Sequence, residues 1–264
     1  MTLPPLKLFL LFSLFSISFS HETPSSHDHH HVFPRPLILE YSELEEEVRL
    51  RCSSWRFAGE ANNLSPWKTV PKECAEYVKE YMTGKGYVYD LEIVSKEAEE
   101  YAKSVQLNED GLDAWIFDID ETLLSNLPYY AAHGFGLQVF DHAKFDDWVV
   151  KGVAPAIEPS LKLYEDVLNL GYKVILLTGR SEQHRAVTVD NLINAGFRDW
   201  HQLILRGSDD KGKRAVIYKS EKRSEMEKDG YRILGNSGDQ WSDLIGSSLS
   251  VKSFKLPNPM YYIS

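Results

Sequence analysis

Basic residues are too few to balance the acidic ones in this sequence, and glycine and proline are not enriched. The 264 residues include 29 lysines and arginines against 39 aspartates and glutamates, which gives a formal net charge of −10. A nucleic-acid scaffold needs a positive surplus to displace counterions from phosphates, so this balance argues against that class of protein. With 16 glycines and 12 prolines, the composition also excludes a collagen-like or wholly disordered chain. Most of the chain should therefore fold, and an anionic substrate must be met by local cations or a metal.

Long apolar runs are absent except near the N-terminus. There, an apolar run over residues 8–19 follows a lysine and ends in small residues. This pattern is typical of a cleaved signal peptide over residues 1–20 and is too short for a membrane span. We expect entry into the secretory pathway, with the cell exterior, the cell wall or the vacuole as destination, and no membrane association after cleavage. Residues 21–36 are rich in histidine, serine and proline; they are expected to form a flexible tail, and metal binding by the histidines is the alternative.

Cysteine is nearly absent as well, since Cys52 and Cys74 are the two in the sequence. In an oxidising compartment they are expected to form a disulfide, and two buried free thiols are the alternative. Between them, Asn63-Leu64-Ser65 is an acceptor for N-glycosylation at Asn63, although the proline that follows weakens the signal.

Two regions follow the tail. Residues 37–110 have helical patterning without a catalytic constellation, so they are expected to form a helical extension. In residues 111–264, short apolar runs alternate with amphipathic helices as in βαβ units. Four strands are predicted there, at 114–117, 173–177, 202–205 and 231–234. Apolar strands joined by crossover helices predict an α/β fold with a Rossmann-like parallel sheet, whose ligands bind beyond the carboxyl ends of the strands.

Acidic residues follow the first predicted strand. Asp118 and Asp120 are two positions apart in an extended segment, so their side chains should point the same way into the crevice. Two carboxylates that close repel each other and need a cation or a shared proton to coexist. A hard dication such as Mg²⁺ supplies that charge and prefers oxygen ligands.

Further polar residues follow the other strands. Thr178, Gly179 and Arg180 stand at the end of the second strand, and Asp239 and Asp243 follow the fourth. A lone Asp-x-Asp is weak evidence, because an aspartate at a strand end is more often a helix cap or a turn residue. Four strand tips that converge on one divalent ion would instead form a catalytic site, and the joint placement of these groups favours that interpretation.

Together these segments resemble a known superfamily. They are Asp118-x-Asp120-x-Thr122, Leu177-Thr178-Gly179-Arg180 and Gly238-Asp239-x-x-x-Asp243. They resemble the first, second and fourth motifs of the haloacid dehalogenase superfamily. The stretches 116–125, 174–180 and 230–243, with the helical N-terminal third, are similar to the plant acid phosphatases of class B, which include the vegetative storage proteins. The resemblance covers nearly all of the chain that follows the predicted signal peptide.

The resemblance implies a phosphatase that uses Mg²⁺ and an aspartyl-phosphate intermediate. Asp118 would attack phosphorus in line, and Asp120 would protonate the leaving alkoxide and later activate water. The metal ligands would be Asp118, the backbone carbonyl of Asp120, and Asp239, with Asp243 close by.

The resemblance also assigns groups to the phosphoryl oxygens. Thr178 and the Gly179 N–H would hydrogen-bond them, because fixed donors stabilise spreading negative charge. A lysine should add positive charge; spacing favours Lys219, with Lys222 as the second candidate. Arg180 either contacts the substrate or complements a nearby acid.

Two features near the motifs have less direct meaning. Glu121 is expected to shape the turn after the first strand. Gly235, Asn236 and Ser237 stand where the family pattern has apolar residues, and this departure leaves the geometry of Asp239 open.

An insertion between the first and second strands, residues 127–157, is rich in aromatics and is expected to form a small cap over the crevice. Its rings would either stack on an aromatic leaving group or form an ordinary mini-core. His133 and His142 lie in this insertion; either they set a pH optimum near the leaving group or they are plain surface histidines.

Hydrolysis of small phosphomonoesters is the first functional hypothesis. The alternative is a vegetative storage protein that keeps the fold with weak or no activity, and the presence of Asp118 discriminates in favour of the enzyme. A carbohydrate- or partner-binding module has no specific support. The sequence does not distinguish transfer of the phosphoryl group to water from transfer to an alcohol, and it leaves the helical region as a candidate homodimer interface.

Overall fold

Five strands form one parallel sheet within residues 44–264, which are the residues that the computed structural model of the protein describes. The strands are β1 (Asp113–Phe117), β2 (Lys173–Ser181), β3 (Gln202–Arg206), β4 (Arg232–Gly238) and β5 (Lys252–Lys255). Their order across the sheet is β3-β2-β1-β4-β5, and each neighbouring pair is parallel. All residues of the central strand β1 are buried, as expected for a sheet covered on both faces. The predicted signal peptide (1–20) and tail (21–36) lie outside the described residues.

Helices precede the sheet and alternate with its strands. They are α1 (Leu44–Glu60), α2 (Ala75–Thr83), α3 (Lys85–Ser104), α4 (Leu127–Ala132), α5 (His142–Val149), α6 (Glu158–Asn169), α7 (Arg185–Asn194), α8 (Ala215–Lys228) and α9 (Trp241–Leu244). Helices α6, α7 and α8 connect successive parallel strands. The prediction of an α/β fold with a parallel sheet is therefore confirmed. No helix within residues 44–264 is both long and apolar enough to cross a membrane.

Strand β5 was not predicted from the sequence. Its four residues include two lysines and a serine, and Phe254 is the one buried side chain among them. The strand lies at the edge of the sheet beside β4, where polar side chains are tolerated and lysine discourages pairing with another chain. A strand this short and polar has no apolar run to mark it.

Strand β4 continues through the three residues that depart from the family pattern, and the structure explains why they are small or polar. A Cβ atom on Gly235 would lie 2.3 Å from Cε3 of Trp115, so any larger residue would collide with that indole. Ser237 Oγ accepts a hydrogen bond from Trp115 Nε1 at 3.1 Å, and Asn236 donates to the Asp243 carbonyl at 2.9 Å. The departure thus accommodates Trp115 at the centre of the sheet and leaves the end of β4 in regular register with β1.

The N-terminal helices are tied together covalently and by packing. Cys52 of α1 and Cys74, just before α2, form a disulfide with a Cα–Cα distance of 5.2 Å. Both cysteines belong to a buried apolar cluster that α1, α2 and α3 share with Tyr129 and Tyr130 of the 127–157 insertion. Burial of apolar area stabilises this contact at roughly 25 cal/mol per Å². The helical region and the insertion therefore share one core.

The 127–157 insertion begins and ends beside the sheet. Ser125 N–H donates to the Pro155 carbonyl at 2.9 Å, and Ile157 N–H donates to the Leu123 carbonyl at 2.9 Å. These two bonds close the base of the insertion directly after the first acidic motif. The helices α4 and α5 that it contains are thereby anchored next to Asp120.

Candidate active site

Three acidic side chains from two strand ends meet at the carboxyl edge of the sheet. Asp118 directly follows β1, while Asp239 and Asp243 follow β4, and one carboxylate oxygen from each lies within 4.8 Å of the others. All three residues are buried, with 5%, 1% and 4% of their surface exposed. Asp118 and Asp239 lie far apart in the sequence, and they meet because β1 and β4 are neighbours in the sheet. This cluster could hold a metal ion through oxygen ligands.

Lys219 of α8 contacts two of these three acids. Its Nζ atom lies 2.5 Å from Asp118 Oδ1 and 2.5 Å from Asp243 Oδ1, and its side chain is 6% exposed. Lys222, the second candidate, instead pairs with Glu225, whose side chain is 56% exposed. Burial would lower the pKa of Lys219, but the two carboxylates outweigh it and raise the pKa, so the ammonium stays charged.

The prediction of four converging strand tips needs one correction. Strand β3 ends at Arg206 and supplies none of the predicted site residues. Helix α8 supplies Lys219 instead, one turn into the helix. The site is therefore built from the ends of β1, β2 and β4 and from one helix face, because α8 crosses back over the sheet between β3 and β4.

The buried acids have more negative charge than one lysine can balance. Burial and the neighbouring acids raise the pKa of Asp118 well above its usual range, although Lys219 opposes the shift. Burial and Asp243 likewise raise the pKa of Asp239 to about 7, against the hydrogen bonds from Asn258 and Gln240. When all are ionised, the three carboxylates and the one ammonium in direct contact with them sum to a charge of −2, which a divalent cation would balance. The donor set therefore fits a divalent metal.

Asp120 has a different environment from the three clustered acids. Arg180 holds its carboxylate in a forked contact, with Nη2 at 2.8 Å from Oδ1 and Nε at 3.1 Å from both oxygens. Burial acts to raise the pKa of Asp120, but Arg180 outweighs it and the pKa is lowered. Of the two readings of Arg180, the structure shows the one in which it complements an acid. Among residues 44–264, the Asp120 carboxylate is not part of the metal-capable cluster.

Threonine 122 links two of the clustered acids. Its Oγ1 donates to Asp118 Oδ2 at 3.4 Å and accepts from the Asp239 N–H at 3.1 Å. Thr178 at the end of β2 is fully buried, and its Oγ1 accepts from the Arg180 N–H at 3.1 Å. Gly179 has no atom within 4 Å of the position where a Cβ would stand. Its backbone thus borders open space.

Glutamate 121 shapes the loop after β1, as expected. It adopts a left-handed conformation with φ of 53°, and its side chain is fully buried. Its carboxylate accepts hydrogen bonds from the Asn126 N–H and, at 3.3 Å, from the Tyr87 hydroxyl of α3. Burial raises the pKa of Glu121 to about 8. This residue therefore fastens the acidic loop to the N-terminal helices.

Sequence reasoning missed two partners of Asp239. Asn258 Nδ2 donates to Asp239 Oδ2 at 2.6 Å, and Gln240 Nε2 donates to the same oxygen at 2.7 Å. Asn258 is in turn fixed because its own N–H donates to the carboxylate of Glu60, the last residue of α1, at 2.8 Å. Nothing in the local sequence around Asn258 marks it, since it lies 19 residues beyond Asp239 in a segment after the edge strand.

The aromatic side chains of the 127–157 insertion pack on one another. The Tyr129 ring makes an edge contact with Phe145 at 5.3 Å and stacks on His133 at 4.2 Å. Phe140 packs on Phe145 at 5.4 Å. His133 Nδ1 is also within hydrogen-bond distance of the Tyr129 carbonyl, 2.7 Å away. Of the two interpretations of these rings, the packing favours a mini-core.

Two remaining predicted positions lie away from the acids. Asn63 is exposed in the turn that follows α1. His142 begins α5 on the exposed side of the insertion and packs edge-on against Phe140 at 4.7 Å. Neither position contacts the clustered acids in the described part of the chain.

Comparison with known proteins gives a consistent result. Residues 38–264 match the family model of the HAD superfamily, subfamily IIIB (acid phosphatase). The chain is 63% identical over 258 residues to acid phosphatase 1 of Solanum lycopersicum, covering 98% of this chain and all of the relative. It is 44% identical to the stem 31 kDa glycoprotein of Glycine max, covering 88% and 90% of the two chains. It is 41% identical to vegetative storage protein 2 of Arabidopsis thaliana, covering 84% and 86%.

A solved structure shows the same fold. The class C acid phosphatase from Bacillus anthracis superposes with a TM-score of 0.56 at 21% identity, over 71% of this chain and 84% of that one. At that identity the likeness speaks for the fold alone. The family match and the relatives, together with the buried acids and Lys219, establish that the chain belongs to the HAD superfamily, subfamily IIIB, the acid phosphatases.

Proposed function

We propose that the protein hydrolyses small phosphomonoesters through an aspartyl-phosphate on Asp118, with Mg²⁺ as cofactor. The observation that carries the proposal is the buried meeting of Asp118, Asp239 and Asp243, with the Lys219 ammonium in contact with Asp118 and Asp243. A cluster with this surplus of negative charge is costly without a cation, because burial disfavours ionised carboxylates. Oxygen donors from carboxylates are those that Mg²⁺ prefers.

The residues that would hold the ion are Asp118, Asp239, Asp243 and the backbone carbonyl of Asp120. When bound, Mg²⁺ supplies positive charge that keeps the nucleophilic carboxylate ionised and offsets the charge of the phosphoryl oxygens. Asn258 and Gln240 fix the orientation of Asp239, as partners behind a metal ligand commonly do.

Asp118 and Asp120 divide the chemistry. An Oδ atom of Asp118 forms a bond to phosphorus while the bond between phosphorus and the ester oxygen breaks, and Asp120 donates a proton to the departing oxygen. Asp120 then accepts a proton from water. The water oxygen bonds to phosphorus as the bond to Asp118 breaks, which releases inorganic phosphate and restores both carboxyl groups.

Other groups bind the phosphoryl oxygens. Thr178 and the backbone N–H of Gly179 supply hydrogen bonds at the end of β2, where no atom lies within 4 Å of a Cβ position on Gly179. Lys219 adds positive charge beside the nucleophile. Arg180 acts on the acid instead of the substrate, since its guanidinium is already committed to Asp120.

A direct test is substitution of the nucleophile. Asp118→Asn should abolish turnover of 4-nitrophenyl phosphate while leaving the unfolding transition cooperative, because the amide keeps the shape but is not nucleophilic. A chelator should abolish wild-type activity, and added Mg²⁺ should restore it. Activity retained by Asp118→Asn would refute the covalent mechanism, and activity insensitive to the chelator would refute the metal requirement.

A storage role is the second candidate, and the 41% identity to a vegetative storage protein favours it. The presence of Asp118 favours an enzyme, and abundance and weak activity are compatible. A kcat/KM far below about 10⁴ M⁻¹s⁻¹ across many phosphate esters would favour storage. Phosphate transfer to glycerol, seen as glycerol phosphate, would identify a phosphotransferase.

Export through the secretory pathway is proposed as well. The Cys52–Cys74 disulfide, the exposed acceptor Asn63 and the similarity to a protein named a stem glycoprotein support it. Protein purified from its natural tissue should lose mass on treatment with a glycan-cleaving amidase, and Asn63→Gln should remove that mass difference. Identical masses of treated and untreated protein would contradict glycosylation at this site.

A further inference from the structure

An asparagine that no motif includes connects the 127–157 insertion to Asp120. Asn126, just before α4, is fully buried. Its Nδ2 donates to Asp120 Oδ1 at 2.9 Å, and its Oδ1 accepts from Trp148 Nε1 of α5 at 2.8 Å. Its backbone N–H is held by the Glu121 carboxylate. Both ends of the amide are therefore occupied.

The tryptophan decides which way the amide faces. An indole N–H is a donor only, so the atom of Asn126 that faces Trp148 must be the carbonyl oxygen. The amide nitrogen is then directed at Asp120 as a donor. Without the indole N–H, the amide could rotate by half a turn and present an oxygen to the carboxylate.

The two oxygens of Asp120 differ as a result. Oδ1 accepts from Asn126 Nδ2 at 2.9 Å, from Arg180 Nη2 at 2.8 Å and from Arg180 Nε at 3.1 Å. Oδ2 accepts from Arg180 Nε alone, at 3.1 Å, among the hydrogen bonds of the described residues. An oxygen that already accepts three hydrogen bonds has no room for a proton. Oδ2 is therefore the oxygen that can carry one.

We propose that Asn126, oriented by Trp148, is a positioning residue that reserves Asp120 Oδ2 for proton transfer to the leaving group. The inference rests on the proposed function of Asp120 as the acid of the first step. It also gives the 127–157 insertion a defined part in the reaction, because Trp148 belongs to that insertion while Asp120 belongs to the loop after β1.

Comparing substrates with different leaving groups distinguishes a positioning role of Asn126 from a purely structural one. An alkoxide needs a proton to depart, whereas 4-nitrophenolate leaves unprotonated at neutral pH. General acid catalysis typically contributes 10²–10⁴-fold, and kcat/KM covers every step up to departure of the leaving group. Asn126→Ala should therefore lower kcat/KM for 2-glycerol phosphate by about 10-fold or more, against less than about 3-fold for 4-nitrophenyl phosphate.

Trp148→Phe removes the indole N–H and keeps an aromatic, though smaller, side chain. It should show the same selective loss for the alkyl ester, at a smaller size. Because Trp148 acts through Asn126, the double variant should lose no more than Asn126→Ala alone. The matched control is Trp200→Phe, at a tryptophan before the amino end of β3 and thus at the opposite edge of the sheet, which should leave both esters unaffected.

The outcomes separate the two claims. Wild-type protein that hydrolyses neither ester refutes the proposed function. Suppose instead that the wild type is active. Equal losses of kcat/KM on both esters in Asn126→Ala and Trp148→Phe would overturn the positioning role, and so would fully additive losses in the double variant. Neither result would contradict the proposed phosphatase activity. If Asn126→Ala fails to fold, Asn126→Leu keeps the approximate volume without a donor or an added charge, and Trp148→Phe still tests the connection.

Discussion

Replacement of Lys219 by methionine tests the electrostatic account of the site most sharply. The variant keeps the length of the side chain but removes the ammonium that lies 2.5 Å from both Asp118 and Asp243. Removing one partner of a buried ion pair costs about 3–5 kcal/mol, because the other charges stay buried without compensation. We therefore expect metal-free Lys219→Met to lose about that much unfolding free energy at pH 7.

The loss should depend on pH in a defined direction. A buried carboxylate that has lost its cationic partner can become neutral by binding a proton. At pH 7, protonating a group whose unfolded pKa is about 3.9 costs about 4 kcal/mol. At pH 5 the same protonation costs about 1.5 kcal/mol. The deficit of Lys219→Met relative to wild type should thus shrink as the pH falls from 7 to 5. Saturating Mg²⁺ should also stabilise the variant more than the wild type, since the ion no longer competes with an ammonium for the same oxygens.

Urea unfolding at pH 5 and pH 7 measures these differences, with a chelator for the metal-free protein and with excess Mg²⁺ for the loaded protein. Lys222→Met is the matched control, because Lys222 pairs with a mostly exposed glutamate, and it should stay within about 0.5 kcal/mol of wild type. A Lys219→Met deficit below about 0.5 kcal/mol at pH 7, or one equal at both pH values, would refute the picture of buried acids held by this lysine.

Three further predictions concern the scaffold. The pKa of Asp113 is lowered because a paired arginine and an amide N–H outweigh the effect of burial. The ionised carboxylate therefore stabilises the fold above its unfolded pKa near 4, and this contribution is lost as the pH falls further. Asp113→Asn should cost about 1–3 kcal/mol of unfolding free energy at pH 7 and should weaken the dependence of stability on pH in acid. Gly235→Ala should cost about 1–3 kcal/mol or more in urea unfolding, because its Cβ would lie 2.3 Å from the buried Trp115 ring. Reduction of the Cys52–Cys74 disulfide should lower the unfolding free energy by about 3 kcal/mol, given the 22-residue separation.

Each has an outcome that would contradict it. An acid limb of unchanged slope in Asp113→Asn would show that another group titrates there. Gly59→Ala, where the new Cβ would have 3.9 Å of clearance inside α1, should be neutral or stabilising; a loss equal to that of Gly235→Ala would point to a general effect of alanine. If reductant leaves the thermal midpoint unchanged although the thiols are shown to be free, the disulfide does not stabilise the fold.

The strand ends were readable because their signals are local. An apolar run followed by Asp-x-Asp fixes where a strand stops and where its acids stand, since side chains alternate along a strand and the chain must turn beyond it. The same locality let Thr178, Gly179 and Arg180 be assigned to one site with Asp239 and Asp243. Strand β5 had no such signal, because an edge strand with one buried residue needs no apolar run.

Contacts between distant segments could not be read in this way. Spacing against the family pattern favoured Lys219 over Lys222, but the contact itself depends on which face of α8 meets the sheet. The pairing of Arg180 with Asp120, and of Asn258 with Asp239, depends on which segments become neighbours after folding. Each of these is a hydrogen bond across a large sequence separation, and no pattern within one segment encodes its partner.

The sequence by itself thus determined the parallel sheet and the set of acids at its carboxyl edge. Only the tertiary structure decided in which direction the pKa of each acid is shifted. Burial among like charges raises the pKa of Asp118 and Asp239, while Arg180 lowers the pKa of Asp120, which stands two residues from Asp118. The reason is physical: a carboxyl group's pKa depends on the charges and solvent within a few ångströms of it, and folding brings those charges from other parts of the chain.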